Sequence, residues 1–206
     1  MPGPVWTIVL AGGSGVRFGQ RKQYLQLAGQ RVLDWSLAAA EAHSDGVVLV
    51  VPADAVGDPE QADAVVAGGA TRSGSVRAGL AAVPDEAEVV VVHDAARPVP
   101  VPGVWERVLG AVADGADGAV PAVPVADTLR DREGGTVDRD RFLAVQTPQA
   151  FRAGALRTAL AGAVEGTDDA SLVEARGGRV VVVDGDPRNI KITTPVDLAL
   201  AELLCR

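Results

Sequence analysis

Short, uninterrupted apolar runs alternate along the chain with stretches whose apolar residues recur at helical spacing. Val5–Leu10, Gly46–Val51 and Glu88–His93 are runs of the first kind, the second closed by Pro52 and the third (EVVVVH) the strongest. Ala64–Ala67, Gly118–Val123 and Val180–Val183 read as further strands. Between them, Arg31–His43 places Val32, Leu33, Trp35, Ser36, Leu37 and Ala40 on one helical face. Thr71–Ala82 and Gly103–Ala113 also read as helices, and later helices are expected from about Phe151 and around Ala170–Ala175. The last helix is marked by Thr194 as N-cap, Pro195 at the first helical position and Asp197 in the first turn. Strands alternating with helices predict an α/β fold around a mostly parallel sheet. Their continuous rather than alternating hydrophobicity predicts that both sheet faces are covered.

Pro124–Gln146 breaks this rhythm. The segment is polar and charged, with Gly134–Gly135 at its centre and β-branched residues on both flanks. It predicts a hairpin protruding over 125–141, turning at the glycines. With no internal repeat and no linker, 1–206 reads as a single domain that carries this arm.

Composition narrows the function classes. The chain has 206 residues, 48% of them hydrophobic but only 3% aromatic, so Val, Ala and Leu must fill the core. Nineteen Lys+Arg stand against 27 Asp+Glu, a net charge of −8, which argues against a nucleic-acid binder. Cys205 is the sole cysteine, excluding an internal disulfide and a cysteine-based zinc site. The MPGPVW start has no signal-type pattern and no apolar run reaches membrane-spanning length, so a cytoplasmic protein is expected.

In an open parallel sheet, ligands bind beyond the carboxyl ends of the strands, so the segments following them carry the candidate chemistry. The first strand leads into AGGSGVRFGQRK, residues 11–22. It is not a dinucleotide fingerprint, which would need glycine where Phe18 stands, nor a Walker A loop, because Gln23 follows Lys22. Its glycines let backbone N–H groups approach phosphate oxygens, and Arg17, Arg21 and Lys22 concentrate positive charge beside them in an acidic protein. That combination points to a nucleoside triphosphate site. The third main strand ends in His93-Asp94-Ala95-Ala96-Arg97-Pro98. Asp94 is placed to hold a metal or sugar hydroxyls, or else to cap the next helix with Arg97 as its counter-ion; His93 reads as structural.

Eight segments in order, AGGSGVRFGQRKQYLQLAGQRVLDWSL, GGATRSGSVRAGL, VHDAARP, ADTL, TVDRDRF, QTPQAF, TDDAS and NIKIT, resemble the 2-C-methyl-D-erythritol 4-phosphate cytidylyltransferase family over essentially the whole chain. The resemblance implies a Rossmann-like nucleotidyltransferase fold, a homodimer with swapped arms, and CTP and methylerythritol phosphate as substrates. It assigns Ala11, Gly12, Gly13 and Gly15 to the nucleotide, Arg17 and Lys22 to the α-phosphate transition state, and Gly69 and Ser75 to the cytosine. Asp94 and Arg97 match contacts to methylerythritol phosphate, Asp94 also a nucleotide contact; Thr128, Arg139, Thr147 and Thr167 match further substrate contacts. Lys191, with Arg139, matches the pair that orients the attacking phosphate. Mg²⁺ or another divalent cation is implied, with Asp94 as its candidate protein ligand.

Two other readings fit parts of the sequence. A cytidylyltransferase for a pentitol phosphate such as ribitol 5-phosphate shares the first loop and an HD-x-x-RP element, but the two alanines of HDAARP and the DTL and VDR segments favour methylerythritol phosphate. A non-catalytic nucleotide sensor would be expected to lose Arg17, Lys22, Arg139 or Lys191, and all four are present.

Overall fold

A computed structural model describes residues 3–13, 21–162, 165–166 and 168–206. The first strand, β1 (Val5–Leu10), leads through a short hairpin, β2 (Gln26–Leu27) and β3 (Gln30–Arg31), into helix α1 (Val32–Glu41). Then come β4 (Gly46–Val51), β5 (Ala64–Ala67), α2 (Arg72–Ala82), β6 (Val89–Asp94), α3 (Pro102–Ala113) and β7 (Gly118–Pro124). After the protruding segment follow β8 (Leu143–Val145), β9 (Gln149–Arg152), α4 (Ala153–Ala159), α5 (Asp169–Glu174), β10 (Val180–Asp184) and α6 (Pro195–Leu204).

The main sheet runs β10-β7-β9-β6-β1-β4-β5, with β8 paired to β7. β1 pairs in parallel with β4 and β6, β4 with β5, and β10 with β7. Side chains alternate across the pleat, so each central strand feeds two cores. Ile8, Val48, Val50, Val90 and Val92 meet α2, α4 and α5 on one face. Val9, Val47, Leu49, Val89 and Val91 meet Leu33 and Leu37 of α1 and Trp105 and Val108 of α3 on the other. A third cluster joins Leu27, Val32, Val104, Ile192 and Ala201, seating α6 beside the carboxyl ends of the strands. Truncating a fully buried residue such as Leu37 is worth about 2–5 kcal/mol, transfer and cavity terms together.

The expected strands and helices appear with ends shifted by one or two residues, as fraying ends do. Thr194 caps α6, accepting from the Asp197 backbone N–H at 3.4 Å while Asp197 accepts from the Thr193 and Thr194 backbone N–H groups. Three findings depart from the sequence reading. Gln149–Arg152 is a strand, not part of a helix starting near Phe151: it runs antiparallel between β6 and β7. Four residues with glutamine and arginine at their ends carry little strand signal, and two flanking ladders supply it instead. The coverage of both faces holds for β4 and β6 but not for β10, where Val182 is 56% exposed because this strand lies at the sheet edge. The β2–β3 hairpin, turning at Ala28 and Gly29 with φ of 47° and 94°, has no counterpart in the sequence reading.

The arm turns at Gly134 and Gly135, whose φ values of 133° and 82° favour glycine. Arg130 bridges Thr136 across it, and Val137 donates to the Leu129 carbonyl at 3.1 Å. The segment thus closes on itself as a narrow loop, most of its residues exposed, and returns along β8 against β7. Among the described residues, no helix is long and apolar enough to cross a membrane.

Candidate active site

The carboxyl ends of β1 and β6, the turn before α2 and the segment before α6 enclose a cleft of about 440 Å³. Ala11, Gly12, Gly13, Lys22, Gly69, Ser75, Asp94 and Lys191 all line it, bringing together eight residues singled out from the sequence. A larger depression of about 580 Å³ lies toward the other ends of the strands, around Glu88, Asp117 and Arg152. It holds none of the glycine-loop or cleft-lining residues and is not the site the fold presents.

Backbone geometry builds the cleft from β1 outward. The Ala11 N–H donates to the Val50 carbonyl at 2.8 Å, carrying the sheet ladder one residue beyond the strand. Gln23, buried, donates its side-chain amide to the Ala11 carbonyl at 2.8 Å and ties the returning loop to its start. Lys22 Nζ donates to the Ile192 carbonyl at 2.5 Å, linking that loop to the chain before α6. Arg21 points elsewhere, paired with exposed Asp54 at 2.7 Å. Of the two described cations in this loop, then, Lys22 reaches the cleft and Arg21 does not. Gly15, Arg17 and Thr167 lie outside the described residues.

The turn before α2 depends on a glycine. A Cβ at Gly69 would lie 2.7 Å from the Gly74 carbonyl carbon, a backbone atom that cannot step aside. The helix N-cap, Thr71, accepts from the Gly74 N–H, and Ser75 Oγ donates to the Thr71 carbonyl at 2.9 Å. Gly69→Ala is therefore expected to push the turn off the helix start and destabilise the fold by about 1–3 kcal/mol, as overpacking does. Urea unfolding checks this, and unchanged stability would show that the turn tolerates the shift.

Asp94 forms the floor. Its side chain is 12% exposed, and Oδ2 takes the Lys191 ammonium at 2.5 Å while Arg72 Nε approaches Oδ1 at 4.0 Å. Burial works to raise the Asp94 carboxyl, but Lys191 and Arg72 outweigh it and hold the group below the usual carboxylate range. The Asp94 N–H donates to Thr147 Oγ1 at 3.0 Å, so Thr147, itself buried, sits behind the cleft and supports its floor. The Asn189 side-chain amide donates to the Thr147 backbone carbonyl at 2.9 Å, and the Asn189 backbone carbonyl accepts from Arg97 Nη1 at 2.6 Å. One asparagine thereby ties the HDAARP, TPQ and NIK segments together.

Buried His93 is structural, as expected: its ring tilts on Trp105 with centroids 5.0 Å apart and its Nε2 lies 3.3 Å from the Arg97 carbonyl. Burial drives the imidazole down to about 4; Asp94 opposes this, while Arg97 and Lys191 add to it. An unfolded histidine titrates near ~6.5, so below that pH the unfolded chain binds a proton that the native ring refuses. The His93 contribution is expected to be complete above about pH 6.5 and to be lost toward pH 4, by up to about 3 kcal/mol. Urea unfolding at pH 7 and pH 5 measures it; a loss of the same size in His93→Asn would assign the effect to other groups.

Thr128 and Arg139 do not line the cleft of their own chain. Both are exposed on the arm, where Arg139 donates to the Ala126 carbonyl and lies 3.9 Å from Asp140. Conversely, the structure adds cleft residues that sequence reasoning missed. Arg72 lines the wall and donates to buried Asp169 at 2.7 Å. No local signal marks this pair, because 97 positions separate its members.

Comparison with known proteins gives the family. Residues 5–206 match the family IspD, 2-C-methyl-D-erythritol 4-phosphate cytidylyltransferase. The chain is 45% identical to the 2-C-methyl-D-erythritol 4-phosphate cytidylyltransferase of Nocardia farcinica over 98% of this chain and 94% of that protein. It is 41% identical to the enzyme of that name from Rubrobacter xylanophilus, over 96% of this chain and 93% of that one. The crystal structure of 2-C-methyl-D-erythritol 4-phosphate cytidylyltransferase from Thermus thermophilus superposes with a TM-score of 0.85 at 39% identity, covering 100% of both chains.

Proposed function

The chain belongs to the 2-C-methyl-D-erythritol 4-phosphate cytidylyltransferase family, and from that premise we propose that it transfers CMP from CTP to methylerythritol phosphate with release of pyrophosphate. The observation that carries the assignment is the convergence of Lys22, Asp94 and Lys191 on one cleft beside the Gly12–Gly13 turn. Four chain segments far apart in sequence supply a backbone cradle and paired charges at the place where such a sheet binds nucleotides.

The chemistry follows from the substrates. A phosphate oxygen of methylerythritol phosphate forms a bond to the CTP α-phosphorus as the bond to the β-phosphate bridging oxygen breaks opposite it. That attacking phosphate is already an anion near neutral pH, so no general base is required. The protein must hold two repelling anions in line and neutralise charge on the α-phosphoryl oxygens. We assign the second task to Lys22, with Arg17, and orientation of the attacking phosphate to Lys191, with Arg139. Gly69 and Ser75 face the cytosine, while Arg97, Thr128, Thr147 and Thr167 serve the methylerythritol phosphate side.

A divalent cation fits the donor set. Among the described residues no cluster of three acidic, histidine or cysteine side chains exists, but Asp94 offers a nearly buried carboxylate on the cleft floor. Mg²⁺ held through one carboxylate and phosphate oxygens needs no more protein ligands than that. Asp94 would hold such an ion, which would supply Lewis-acid charge compensation to the triphosphate.

Arg139 and Thr128 lie outside the cleft of their own chain, and exposed Phe142, Leu143 and Val145 flank them on the returning strand. We therefore assign the arm over 125–141 to a homodimer in which it completes the partner's site. Both substrates are small, charged and water-soluble, in keeping with a reaction in the cytoplasm.

Pyrophosphate release across the four nucleoside triphosphates, with methylerythritol phosphate and ribitol 5-phosphate as acceptors, tests the assignment. CTP with methylerythritol phosphate is expected to give the highest kcat/KM, because a base lacking the cytosine edge leaves donors in the pocket unpaired. ATP turned over as well as CTP would remove the base assignment, and preference for ribitol 5-phosphate would make the enzyme a pentitol-phosphate cytidylyltransferase.

A further inference from the structure

Four charged side chains form a line of alternating sign running from the cleft into the protein behind it. Lys191 pairs with Asp94 at 2.5 Å, Arg72 Nε stands 4.0 Å from the other Asp94 oxygen, and Arg72 Nη1 donates to Asp169 at 2.7 Å. Asp169 is fully buried, and its second oxygen has no hydrogen-bond partner among the described residues. This arrangement conflicts with local preference. Arg72 is the first residue of α2, where the helix dipole disfavours a cation, and no acidic residue occupies that first turn to offset it. A cation held against its local preference by a carboxylate from a distant helix marks a place where the fold serves the site.

The reason lies with Lys191. Its ammonium cannot stay on Asp94 at 2.5 Å and also bind the phosphate of an arriving substrate with full strength. Yet a nearly buried carboxylate whose nearest counter-charge turns away becomes less favourable, which keeps Lys191 on the floor. A second cation already beside Asp94 removes that obstacle. Arg72 meets the requirement: its charge is permanent, and its guanidinium retains donors besides the one given to Asp169.

We propose that Arg72, anchored by Asp169, is the standing counter-charge of Asp94 and thereby releases Lys191 to the phosphate of methylerythritol phosphate. This rests on the assignment of Lys191 to that phosphate. Arg72 and Asp169 are accordingly positioning residues, acting through Asp94 and Lys191. Their influence falls on the acceptor substrate rather than on the nucleotide, and it requires a cation at position 72 more than it requires an arginine.

The test compares wild type with Arg72→Gln, Arg72→Lys and Asp169→Asn at saturating CTP and Mg²⁺, varying methylerythritol phosphate and reading pyrophosphate release. Arg72→Gln is expected to raise KM for methylerythritol phosphate by roughly tenfold or more, while CTP affinity by titration calorimetry moves by less than about threefold. Arg72→Lys should recover most of that loss, and Asp169→Asn should show the same split in weaker form. In a Lys191→Ala background, Arg72→Gln should add less than about threefold, since residues acting through one another are non-additive. Melting curves identify any variant that fails to fold; should Arg72→Gln be one, the lysine and asparagine variants carry the comparison. Equal losses for CTP and acceptor, a lysine variant as impaired as glutamine, or full additivity with Lys191→Ala would each overturn the proposal. A wild-type protein that releases no pyrophosphate from these substrates would instead sink the functional assignment itself.

Discussion

Equimolar mixing of Lys22→Ala and Arg139→Ala proteins is expected to restore activity to about a quarter of all sites, although each protein alone is nearly inactive. Lys22 lines the cleft of its own chain, whereas Arg139 sits on the exposed arm, bonded to Ala126 and outside that cleft. If the arm completes the partner's site, each active site combines the body of one subunit with Arg139 of the other. In a mixed dimer one site then collects both lesions and the other collects neither. Random exchange makes about half of the dimers mixed, which sets the quarter. Exchange is verified with a mass-tagged subunit and activity by pyrophosphate release. Were Arg139 to serve its own chain, every site would keep one lesion, and confirmed exchange without recovered activity would end the swapped-arm reading.

Removing the two cleft lysines is expected to give different kinetic signatures of similar severity. Lys22 belongs to the loop beside Gly12 and Gly13, the place proposed above for the α-phosphate. Lys22→Ala should lower kcat by roughly 10²-fold or more with little change in CTP affinity, the pattern of a contact made mainly in the transition state. Arg21 instead pairs with exposed Asp54 at 2.7 Å. Lys191→Ala should instead act on the acceptor, lowering kcat/KM for methylerythritol phosphate by roughly 10²-fold or more. It also leaves Arg72, at 4.0 Å, as the nearest cation to Asp94 among the described residues. Steady-state kinetics with each substrate varied in turn separates the two. A Lys22→Ala enzyme with near-normal kcat would remove that residue from the transition state.

Most of the fold was legible because its signals are local. Unbroken valine runs such as Val89–Val92 can be buried on both sides only in a covered sheet, and Thr194, Pro195 and Asp197 announce a helix start from adjacent positions. The candidate site was legible for a related reason. In a parallel sheet the residues after each strand share one edge, so Gly12 and Asp94 could be placed together from strand position, whereas Gly69 and Lys191 entered through the family resemblance. Strand β9 carries no such signal, because Gln149–Arg152 is a strand only by virtue of ladders to β6 and β7, which no short window contains.

The sequence by itself therefore determined the α/β class, the covered central strands, the arm's turn at Gly134–Gly135 and the sheet edge at which the cleft lies. All of these depend on hydrophobic period, turn chemistry or position relative to a strand, quantities carried by neighbouring residues. Only the tertiary structure decided how those residues are charged and held. It showed Gln23 tying down the first loop, Asn189 joining three motif segments, and the line from Lys191 through Asp94 and Arg72 to Asp169. Each of these contacts joins residues on separate chain segments, and the strength of a buried ion pair depends on burial and distance that exist only once the chain has folded.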